Sequence, residues 1–553
     1  MKYFFFLILI FNFLCAHEDE SNWAKDTLSK MTLKEKVGQL FIAPVCPLRE
    51  DEHVKDILRL IEDYHLGGVI VKQADPITQM QMVALLQDKA NIPLFITQDA
   101  ENGLGMRMQN TIAFPKNLTL GAIRDDSYMY LLGKEIGKQM RLIGSHINFA
   151  PVVDVNTNPL NPIIHMRSFG DDVEKVAAKA MQFVKGLQEE GILACAKHFP
   201  GHGDTICDSH HDLPLIPHSK TRLENIELYP FKVMIENDVD CVMVAHLHIP
   251  SLVGNEIIPS SLSSKVVEKI LRKDLNFEGL IISDALNMKA LRLYFSVEDI
   301  AYLAYISGHD ILLYGDHIHD EVDYILQNDI PRAMEALIRG FEEKRLKIQD
   351  LDERVLRILE VKERLSLCEK QNPFHMDEIL KQLHSEYAKE LKKKLYELAI
   401  TVVDENTIFP LKDSKKIAYL SLGDIEQDLF YETLSENVDL IPVTIDDLDS
   451  AEEKDIAATV ISFYQINPHK ENYGIDLELL KEMEKLNEQK TIFILFGTPY
   501  AMSLFEKEHT ILLAYEEDMD AQIAAANILL GNMKAKGHLP VSVLKKQTFS
   551  PVR

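Results

Sequence analysis

The sequence is poor in positive charge for its length. Its 553 residues include 59 Lys and Arg against 86 Asp and Glu, which gives a formal net charge of −27. Because phosphate binding requires a basic surface, this balance argues against nucleic acid as a partner and disfavours adsorption to anionic lipid. A neutral or cationic ligand fits the composition better, although one local basic pocket is compatible with an acidic group.

Paired cysteine motifs are also absent. The six cysteines, none of which forms a CxxC pair, are Cys15, Cys46, Cys195, Cys207, Cys241 and Cys368. Most lie in apolar or strand-like stretches, where cysteine behaves as a small buried hydrophobic residue. The cysteines therefore say little about the compartment in which the protein works.

Long apolar runs are lacking beyond the N-terminus. There, Lys2 precedes an apolar run that ends at Cys15, and Ala16 leads into the polar residues 17–20. The run is too short for a comfortable membrane span and has the layout of a secretory signal. We expect a signal peptide over residues 1–16 and an extracytoplasmic protein, periplasmic or secreted. An uncleaved N-terminal anchor is the alternative, and lipidation of Cys15 is not expected.

The length exceeds what one hydrophobic core usually serves, so two domains are expected. Eight short apolar runs of the kind that forms buried parallel strands occur in the first part of the chain, and helix-period patterns follow most of them. These runs are Val37–Val45, Leu66–Lys72, Ile92–Gln98, Ser145–Val155, Ile192–His198, Val239–His246, Gly279–Asp284 and Asp310–Gly315. Eight such units predict an α/β fold with a (β/α)8 TIM-like barrel.

A second, smaller α/β pattern follows. Its strand candidates are Lys416–Leu422, Leu440–Ile445, Thr459–Phe463, Thr491–Phe496 and Thr510–Tyr515. A small open parallel sheet sandwiched by helices fits this pattern. The predicted organisation is a signal peptide over 1–16, a barrel over 17–370, a helical connector over 371–396 and an α/β sandwich domain over 397–553.

Polar residues cluster where five of the predicted barrel strands end. They are Asp99 and Glu101 after the third strand, Asp154 and Asn156 after the fourth, Lys197, His198, His202 and Asp204 at the fifth, His246 and His248 at the sixth, and Ser283 and Asp284 at the seventh. A capping or hydrogen-bonded structural role would explain any one of them. Five ends together indicate a catalytic site, because barrel active sites lie at the carboxyl ends of the strands.

Several blocks of the sequence resemble glycoside hydrolase family 3, and specifically its β-N-acetylglucosaminidase branch. The similar barrel blocks are Asn148–Asp154, Arg167–Gly170, Lys197–Thr205 followed by Asp208-Ser-His210 and Leu213-Pro214, and Ser283–Met288. In the second domain, Ala399–Val403, Pro410-Leu411, Gly497–Tyr500 and Gly537–Val543 are similar as well. The resemblance covers nearly the whole chain beyond the predicted signal.

The resemblance assigns the reacting groups. Asp284 matches the nucleophile, which forms a covalent glycosyl-enzyme on the retaining route. His210 matches the acid/base residue that this branch uses instead of a second carboxylic acid. An ordinary imidazole has a pKa of about 6.5, so it can both donate and accept a proton at neutral pH. Asp208 would orient that ring and stabilise its cation. We choose His210 over its neighbour His211 because it keeps the one-residue gap from Asp208.

The resemblance also assigns the substrate-binding residues. Asp99, Arg107, Arg167, Lys197 and His198 match the positions that contact the terminal N-acetylglucosamine. Charged groups at fixed angles suit a ring with several hydroxyls. One departure is Asn102, which replaces the first glycine of the branch's usual Asp-x-Glu-Gly-Gly and puts only local loop detail in doubt.

The expected activity is that of a retaining exo-β-N-acetylglucosaminidase, which removes terminal N-acetylglucosamine from β-linked glycans such as peptidoglycan fragments or muropeptides. No cofactor, metal, nucleic acid or stable protein partner is expected. A family 3 β-glucosidase or xylosidase and a phosphorylase remain alternatives, since a neutral histidine repels phosphate less than a carboxylate does. Less favoured are a metal-dependent barrel hydrolase, with ligands among His198, His202, His246, His248 and Asp284, and a non-catalytic glycan-binding protein. The second domain would either stabilise the barrel or bind an extended glycan.

Overall fold

The structure is a computed structural model. It describes residues 22–207, 212–254, 256–315, 321–369, 376–403, 410–413, 416–448 and 456–543. The predicted signal peptide over 1–16 lies outside these residues, as do Asp208 and His210. In the part of the chain that the structure describes, no helix is long and apolar enough to cross a membrane.

The first domain is built on eight strands. They are β1 (Phe41–Val45), β2 (Gly68–Val71), β3 (Phe95–Gln98), β4 (Ile147–Asn148), β5 (Leu193–Phe199), β6 (Cys241–Val244), β7 (Leu280–Ser283) and β8 (Leu312–Leu313). All pair in parallel in the order β7-β6-β5-β4-β3-β2-β1-β8. A parallel bridge between Ile282 and Ile311 joins the two ends of this sheet. The predicted TIM-like barrel is therefore confirmed.

Helices surround the barrel. Their bounds are Trp23–Lys30, Leu33–Gly38, Asp51–Tyr64, Pro76–Lys89, Asn117–Gly121, Ser127–Leu142, Val173–Glu189, Lys220–Asn225, Tyr229–Glu236, Pro250–Val253, Lys289–Arg292, Val297–Ser307, Val322–Tyr324, Ile330–Glu342 and Ile348–Arg364, with a wider π-type helix at Lys265–Asp274. Local sequence explains where many begin. Asp172, for example, accepts hydrogen bonds from the backbone of Glu174 and Lys175 and caps the following helix.

The fourth strand is much shorter than the sequence indicates. The apolar run predicted a strand over Ser145–Val155, but only Ile147–Asn148 is regular strand. Pro151 has no N–H to donate to a neighbouring strand, although its carbonyl still accepts a hydrogen bond from the Lys197 N–H at 3.1 Å. Beyond the strand, the Val153 N–H still donates to the Lys197 carbonyl at 2.8 Å. The irregular segment therefore stays attached to β5 and carries Asp154 to the end of the barrel.

The second domain contains a six-stranded sheet. Its strands are β9 (Thr401–Val403), β10 (Ile417–Leu422), β11 (Leu440–Pro442), β12 (Ala458–Ile466), β13 (Thr491–Gly497) and β14 (Thr510–Leu513), in the order β11-β10-β12-β13-β14-β9. The associated helices are Met376–Leu383, Glu386–Ala399, Leu429–Ser435, Leu477–Met483 and Met519–Leu529.

One feature of this sheet corrects the sequence analysis, which expected a parallel sheet. β9 pairs antiparallel to β14, with Thr401 opposite Leu513. The chain enters this edge strand directly from the helix Glu386–Ala399, so β9 is not reached by the strand–helix–strand connection that makes neighbours parallel. Its three residues are also too few to show a strand pattern.

Hydrogen bonds fix the second domain against the barrel loops. The Asn156 side chain donates to the Tyr500 hydroxyl at 2.7 Å, and the Lys116 N–H donates to Glu516 at 2.8 Å. The His538 N–H donates to the Ala122 carbonyl at 3.0 Å. Since Lys116 and Asn156 follow β3 and β4, the second domain lies beside the carboxyl ends of the barrel strands.

Candidate active site

A cavity of about 220 Å³ opens at the carboxyl ends of the barrel strands. The predicted site residues that the structure describes all line it: Asp99, Arg107, Arg167, Lys197, His198 and Asp284. Apolar side chains that form its inner wall include Ile70, Phe149, Met243 and Leu313. Residues that are far apart in the sequence thus meet at the edge of the sheet where a barrel places its active site.

Asp284 directly follows the buried strand β7. Its N–H donates to the Val244 carbonyl at 2.9 Å, which continues the ladder with β6 by one residue. Its Oδ1 accepts a hydrogen bond from the Ala285 N–H at 2.8 Å. The backbone on both sides therefore fixes the orientation of a half-buried carboxylate that lines the cavity.

Asp99, at the end of β3, is surrounded by three cations. Its carboxylate lies 3.0 Å from Lys197 Nζ, 3.1 Å from Lys72 Nζ and 3.6 Å from Arg107 Nη2. Burial opposes ionisation, but the charges of these neighbours outweigh it and hold the pKa of Asp99 well below its usual range. Asp99 is therefore an ionised hydrogen-bond acceptor at neutral pH and unsuited to donate a proton.

Glu101 organises a second part of the same wall. It receives two hydrogen bonds from the Arg167 guanidinium, at 2.7 and 3.0 Å, and its Oε1 lies 2.8 Å from Lys197 Nζ. Burial opposes its ionisation, yet Arg167 and Lys197 lower its pKa to about 2. The paired geometry fixes the Arg167 plane. Lys197 is shared between Asp99 and Glu101, and these two carboxylates raise its pKa despite its burial.

Two histidines are held by Asp154, which is completely buried. Its Oδ2 lies 2.7 Å from His198 Nδ1, and its Oδ1 accepts from the His202 N–H at 2.7 Å. Burial opposes ionisation of Asp154, but His198 and these hydrogen bonds lower its pKa. Burial lowers the pKa of His202 to about 4. The His202 ring is therefore neutral around pH 7.

The segment that leads to Asp208 and His210 is anchored beside the cavity. Asn161 Nδ2 donates to the His202 carbonyl at 2.8 Å, and Asn158 Nδ2 donates to the Thr205 carbonyl at 3.1 Å. His202 Nδ1 in turn lies 3.0 Å from the Thr205 hydroxyl. The described residues immediately before the Asp208/His210 segment are thus tied to a histidine that lines the cavity.

Comparisons with known proteins agree with this geometry. The family model described as "Glycosyl hydrolase family 3 N terminal domain" matches residues 32–361, which is more than half of the chain. The chain belongs to glycosyl hydrolase family 3. Beta-hexosaminidase A of Pseudoalteromonas piscicida is 27% identical over 88% of this chain and 91% of its own. Beta-hexosaminidase LpqI of Mycobacterium tuberculosis is 29% identical over 60% of this chain and 82% of its own.

A solved structure shares both domains. The family 3 beta-N-acetylglucosaminidase of Paenibacillus sp. str. FPU-7 superimposes with a TM-score of 0.77 at 29% identity. The match covers 93% of this chain and 100% of that one. The resemblance inferred from sequence blocks is therefore confirmed, and the chain is a glycoside hydrolase of family 3.

Lys72 and Asp154 support the site of this family 3 enzyme but were not assigned to it from the sequence. Lys72 was considered only as the end of the predicted strand Leu66–Lys72. It is the single charged residue of that apolar run, and its ammonium group contacts Asp99. Asp154 was recognised at a strand end but was not assigned to the site, and it holds both His198 and His202. A charged residue that ends a buried strand was the available signal in each case.

The metal-dependent alternative gains nothing from His246, which follows β6. His246 uses both ring nitrogens, with Nδ1 at 2.7 Å from the Ser261 hydroxyl and Nε2 at 3.0 Å from the Ala285 carbonyl. Among the described residues, one group has the spacing of metal ligands, namely Asp204, His218 and Glu227. Arg222 lies 3.6 Å from Asp204 and 3.3 Å from Glu227, so a cation already occupies the position between these carboxylates.

Proposed function

We propose that this family 3 enzyme is a retaining exo-β-N-acetylglucosaminidase that removes terminal N-acetylglucosamine from β-linked glycans. One observation carries the proposal: the Asp284 carboxylate shares a small cavity with all the described residues that match the family's sugar-binding positions. The printed names of its relatives, β-hexosaminidases and a β-N-acetylglucosaminidase, support the same activity.

The size of the cavity favours a terminal sugar. A volume of about 220 Å³ is below the range of roughly 300–1,000 Å³ found for sites that take drug-sized ligands. The apolar inner wall from β2, β6 and β8 closes the cavity behind the sugar. One pyranose ring fits this space, and the rest of the glycan must leave through the mouth. Cleavage at a chain end follows from that arrangement.

Asp284 acts as the nucleophile. Its carboxylate oxygen attacks the anomeric carbon, the new C–O bond forms, and the bond to the leaving-group oxygen breaks. Water then attacks the anomeric carbon from the face that the leaving group occupied, opposite Asp284, and breaks the bond to the carboxylate, so the product keeps the β configuration. The hydrogen bond from the Ala285 N–H holds one oxygen and supports its alignment for attack.

The leaving oxygen needs a proton, and neither Asp99 nor His202 is a suitable acid. Asp99 is held ionised by its cations, and His202, with a pKa of about 4, is mostly unprotonated at neutral pH. His210, oriented by Asp208, fills this role: it protonates the leaving oxygen and then accepts a proton from the attacking water. The anchoring of Thr205 to His202, close to this segment, supports the assignment.

Asp99, Lys197, Arg107, Arg167 and His198 bind the terminal sugar. Asp99 accepts hydrogen bonds from sugar hydroxyls, while the Lys and Arg groups donate them. Glu101 and Lys72 act as positioning residues because they fix Arg167, Lys197 and Asp99 before the substrate arrives. Groups fixed in advance lose little entropy on binding, which favours the transition state.

A labelling experiment tests the nucleophile. A fluorinated analogue of N-acetylglucosaminyl fluoride that keeps the acetamido group should inactivate the enzyme, and peptide mapping should find the sugar on Asp284. A label on another residue would refute the assignment. Activity on nitrophenyl N-acetylglucosaminide well above that on the matching glucoside and xyloside separates this proposal from the other family 3 activities. Free N-acetylglucosamine with or without phosphate, and no sugar phosphate, excludes the phosphorylase.

The biological substrate is proposed to be peptidoglycan fragments outside the cytoplasm. The support is the secretory layout of residues 1–16 together with the activity above. Fractionation and N-terminal sequencing test it: mature protein should begin near His17 in an extracytoplasmic fraction. An intact Met1 terminus on cytoplasmic protein would overturn this part of the proposal.

A further inference from the structure

A cluster of four charged side chains lies where the chain continues beyond β5 and His202. Asp204, His218 and Glu227 place their polar atoms within 4.8 Å of one another. Arg222 contacts both carboxylates, at 3.6 Å from Asp204 and 3.3 Å from Glu227. None of these four residues lines the catalytic cavity. The chemistry proposed above therefore does not use them directly.

The buried side of this charged cluster is attached to the barrel. Glu227 is only 4% exposed. Gly201, in the turn after β5, packs so closely on Glu227 that a Cβ there would meet the Glu227 Cβ at 2.7 Å. Arg222 also donates a hydrogen bond to the Thr157 hydroxyl, in the loop after β4, at 3.2 Å. Arg222 and Glu227 thus connect the charged cluster to the loops that follow β4 and β5.

One contact of the charged cluster joins two separate stretches of chain. His218 donates a hydrogen bond from Nε2 to Oδ2 of Asp204. Asp204 precedes the segment that carries Asp208 and His210, and His218 follows it. The His218–Asp204 contact therefore links the chain on either side of the proposed acid/base pair.

Each side of this contact is also attached to the barrel independently. Before the segment, Gly203 lies against the Val155 carbonyl, which a Cβ at this position would meet at 1.8 Å, so a larger residue does not fit. After the segment, the Ile216 N–H donates to the His248 carbonyl at 2.9 Å. Loss of the contact made by His218 would therefore leave both sides attached to the barrel but no longer to each other.

We propose that His218 is a positioning residue for proton transfer, because its contact with Asp204 sets the relative positions of the two stretches that lead to Asp208 and His210. The inference rests on the proposed function, in which His210 protonates the leaving oxygen. Proton transfer needs the acid within hydrogen-bond distance of that oxygen. A misplacement of about 1 Å can cost on the order of a hundredfold in rate. A contact outside the cavity is thus able to control the chemical step.

The test replaces His218 in two ways. Leucine has a similar size but cannot form the contact, whereas the amide of glutamine can still donate to Asp204. His218→Leu should lower kcat/KM for N-acetylglucosaminides with poor leaving groups about tenfold more than for nitrophenyl N-acetylglucosaminide, since a nitrophenolate departs with little protonation. His218→Gln should keep most of the wild-type ratio between the two substrates. A role in stability alone would lower Tm and leave this ratio unchanged.

A double-variant cycle shows whether His218 acts through His210. In the His210→Ala background, His218→Leu should cause no further change in the ratio, as expected when one residue acts through another. His384→Leu is the matched control. This exposed histidine also makes a surface hydrogen bond, with Nε2 at 2.9 Å from the Asn110 carbonyl, and it does not line the catalytic cavity. Its removal should leave the ratio at the wild-type value.

The outcomes separate this inference from the proposed function. An unchanged ratio in His218→Leu, or a change that persists in the His210→Ala background, would overturn the inference while leaving His210 as the acid/base residue. If His218→Leu does not fold, Asp204→Asn replaces it, because it removes the charge from the same contact and should shift the ratio in the same direction. Equal losses for good and poor leaving groups in His210→Ala alone would refute the acid/base assignment and the inference with it.

Discussion

The catalytic cavity and the interdomain cleft, the larger cavity between the barrel and the second domain, differ in how their charged side chains are paired. In the cavity, Lys72, Lys197, Arg107 and Arg167 each lie within 3.6 Å of Asp99 or Glu101. In the cleft, Glu516 and Glu517 accept hydrogen bonds from uncharged groups of the protein, and the ammonium groups of Lys116 and Lys470 form no ion pair with a described residue at 4.0 Å or less. The ion pairs of the cavity form a closed network, in which each of these cations has an anionic partner. The two cleft lysines belong to no such network.

This difference follows from burial. A buried charge without a partner costs several kcal/mol, so the cavity is stable only with its cations and anions matched. A solvated lysine needs no such match, because water satisfies its ammonium group. The charged groups of the cavity are consequently fixed before substrate binds, whereas the two cleft lysines are exposed to solvent.

Asp284→Ala should abolish the chemistry of the cavity. Without the nucleophile no covalent intermediate forms, and kcat should fall by about four orders of magnitude or more while Tm changes little. Steady-state kinetics on nitrophenyl N-acetylglucosaminide and thermal unfolding measure the two quantities. A loss of less than about tenfold would contradict the role of Asp284.

His210→Ala should discriminate between leaving groups. A nitrophenolate departs with little protonation, whereas a sugar alcohol needs the proton, so substrates with poor leaving groups should lose about a hundredfold or more beyond the loss for nitrophenyl glycosides. Asp208→Ala should act in the same direction but less completely, and the double variant should resemble His210→Ala. Equal losses of activity for good and poor leaving groups in His210→Ala would exclude His210 as the acid/base residue. His211 would then be tested by the same substitution.

Glu101→Gln should break the closed network, with Glu516→Gln as its counterpart in the cleft. Removing the buried charge of Glu101 leaves Arg167 and Lys197 without one of their anions, which should cost about 3 kcal/mol or more in stability. It should also lower kcat/KM about a hundredfold. Glu516→Gln keeps a hydrogen-bond acceptor where burial already raises the pKa of the acid, so its cost should stay near 1 kcal/mol or below. Denaturant unfolding of both variants decides this, and equal costs would remove the contrast.

The smallest effect concerns His309, a buried histidine whose pKa is set mainly by burial. Burial lowers the pKa of His309 from 6.5 to about 4, and its Nδ1 lies 3.0 Å from the Ala304 carbonyl. The unfolded chain therefore binds a proton that the folded chain resists, so stability falls as the pH drops from about 6.5 towards about 4. His309→Asn keeps a donor for Ala304 but cannot titrate. Its unfolding free energy should depend less steeply on pH across this window by up to one proton, and an unchanged slope would contradict the assignment.

The sequence predicted the barrel well because its strands are short, apolar and buried on both faces. All eight strands lie at their predicted places, apart from Phe199, one residue beyond the fifth run. The β9 edge strand and its antiparallel direction were not visible, because three residues carry no period and direction depends on the connection. The predicted run for β4 was too long, although Pro151 within it was a local signal against a regular strand over its full length.

Some residues of the site were predicted from the sequence, and others were recognised only in the structure. Asp284, Asp99 and Lys197 were assigned from blocks that resemble the family, and the structure brings them to one cavity. Lys72 was missed because a lysine at a strand end has no visible function until Asp99 lies 3.1 Å away. Asp208 and His210 lie outside the described residues, so their roles stay predictions.

By itself, the sequence determined which elements form and which residue types stand at the strand ends, because burial period, proline and capping act over a few neighbouring residues. Only the tertiary structure decided which charges neutralise each other, because ion pairs join residues such as Lys72 and Asp99, or Glu101 and Arg167, across separate strands and loops. It also formed the interdomain cleft, since a cavity between two domains exists only once both have folded and docked.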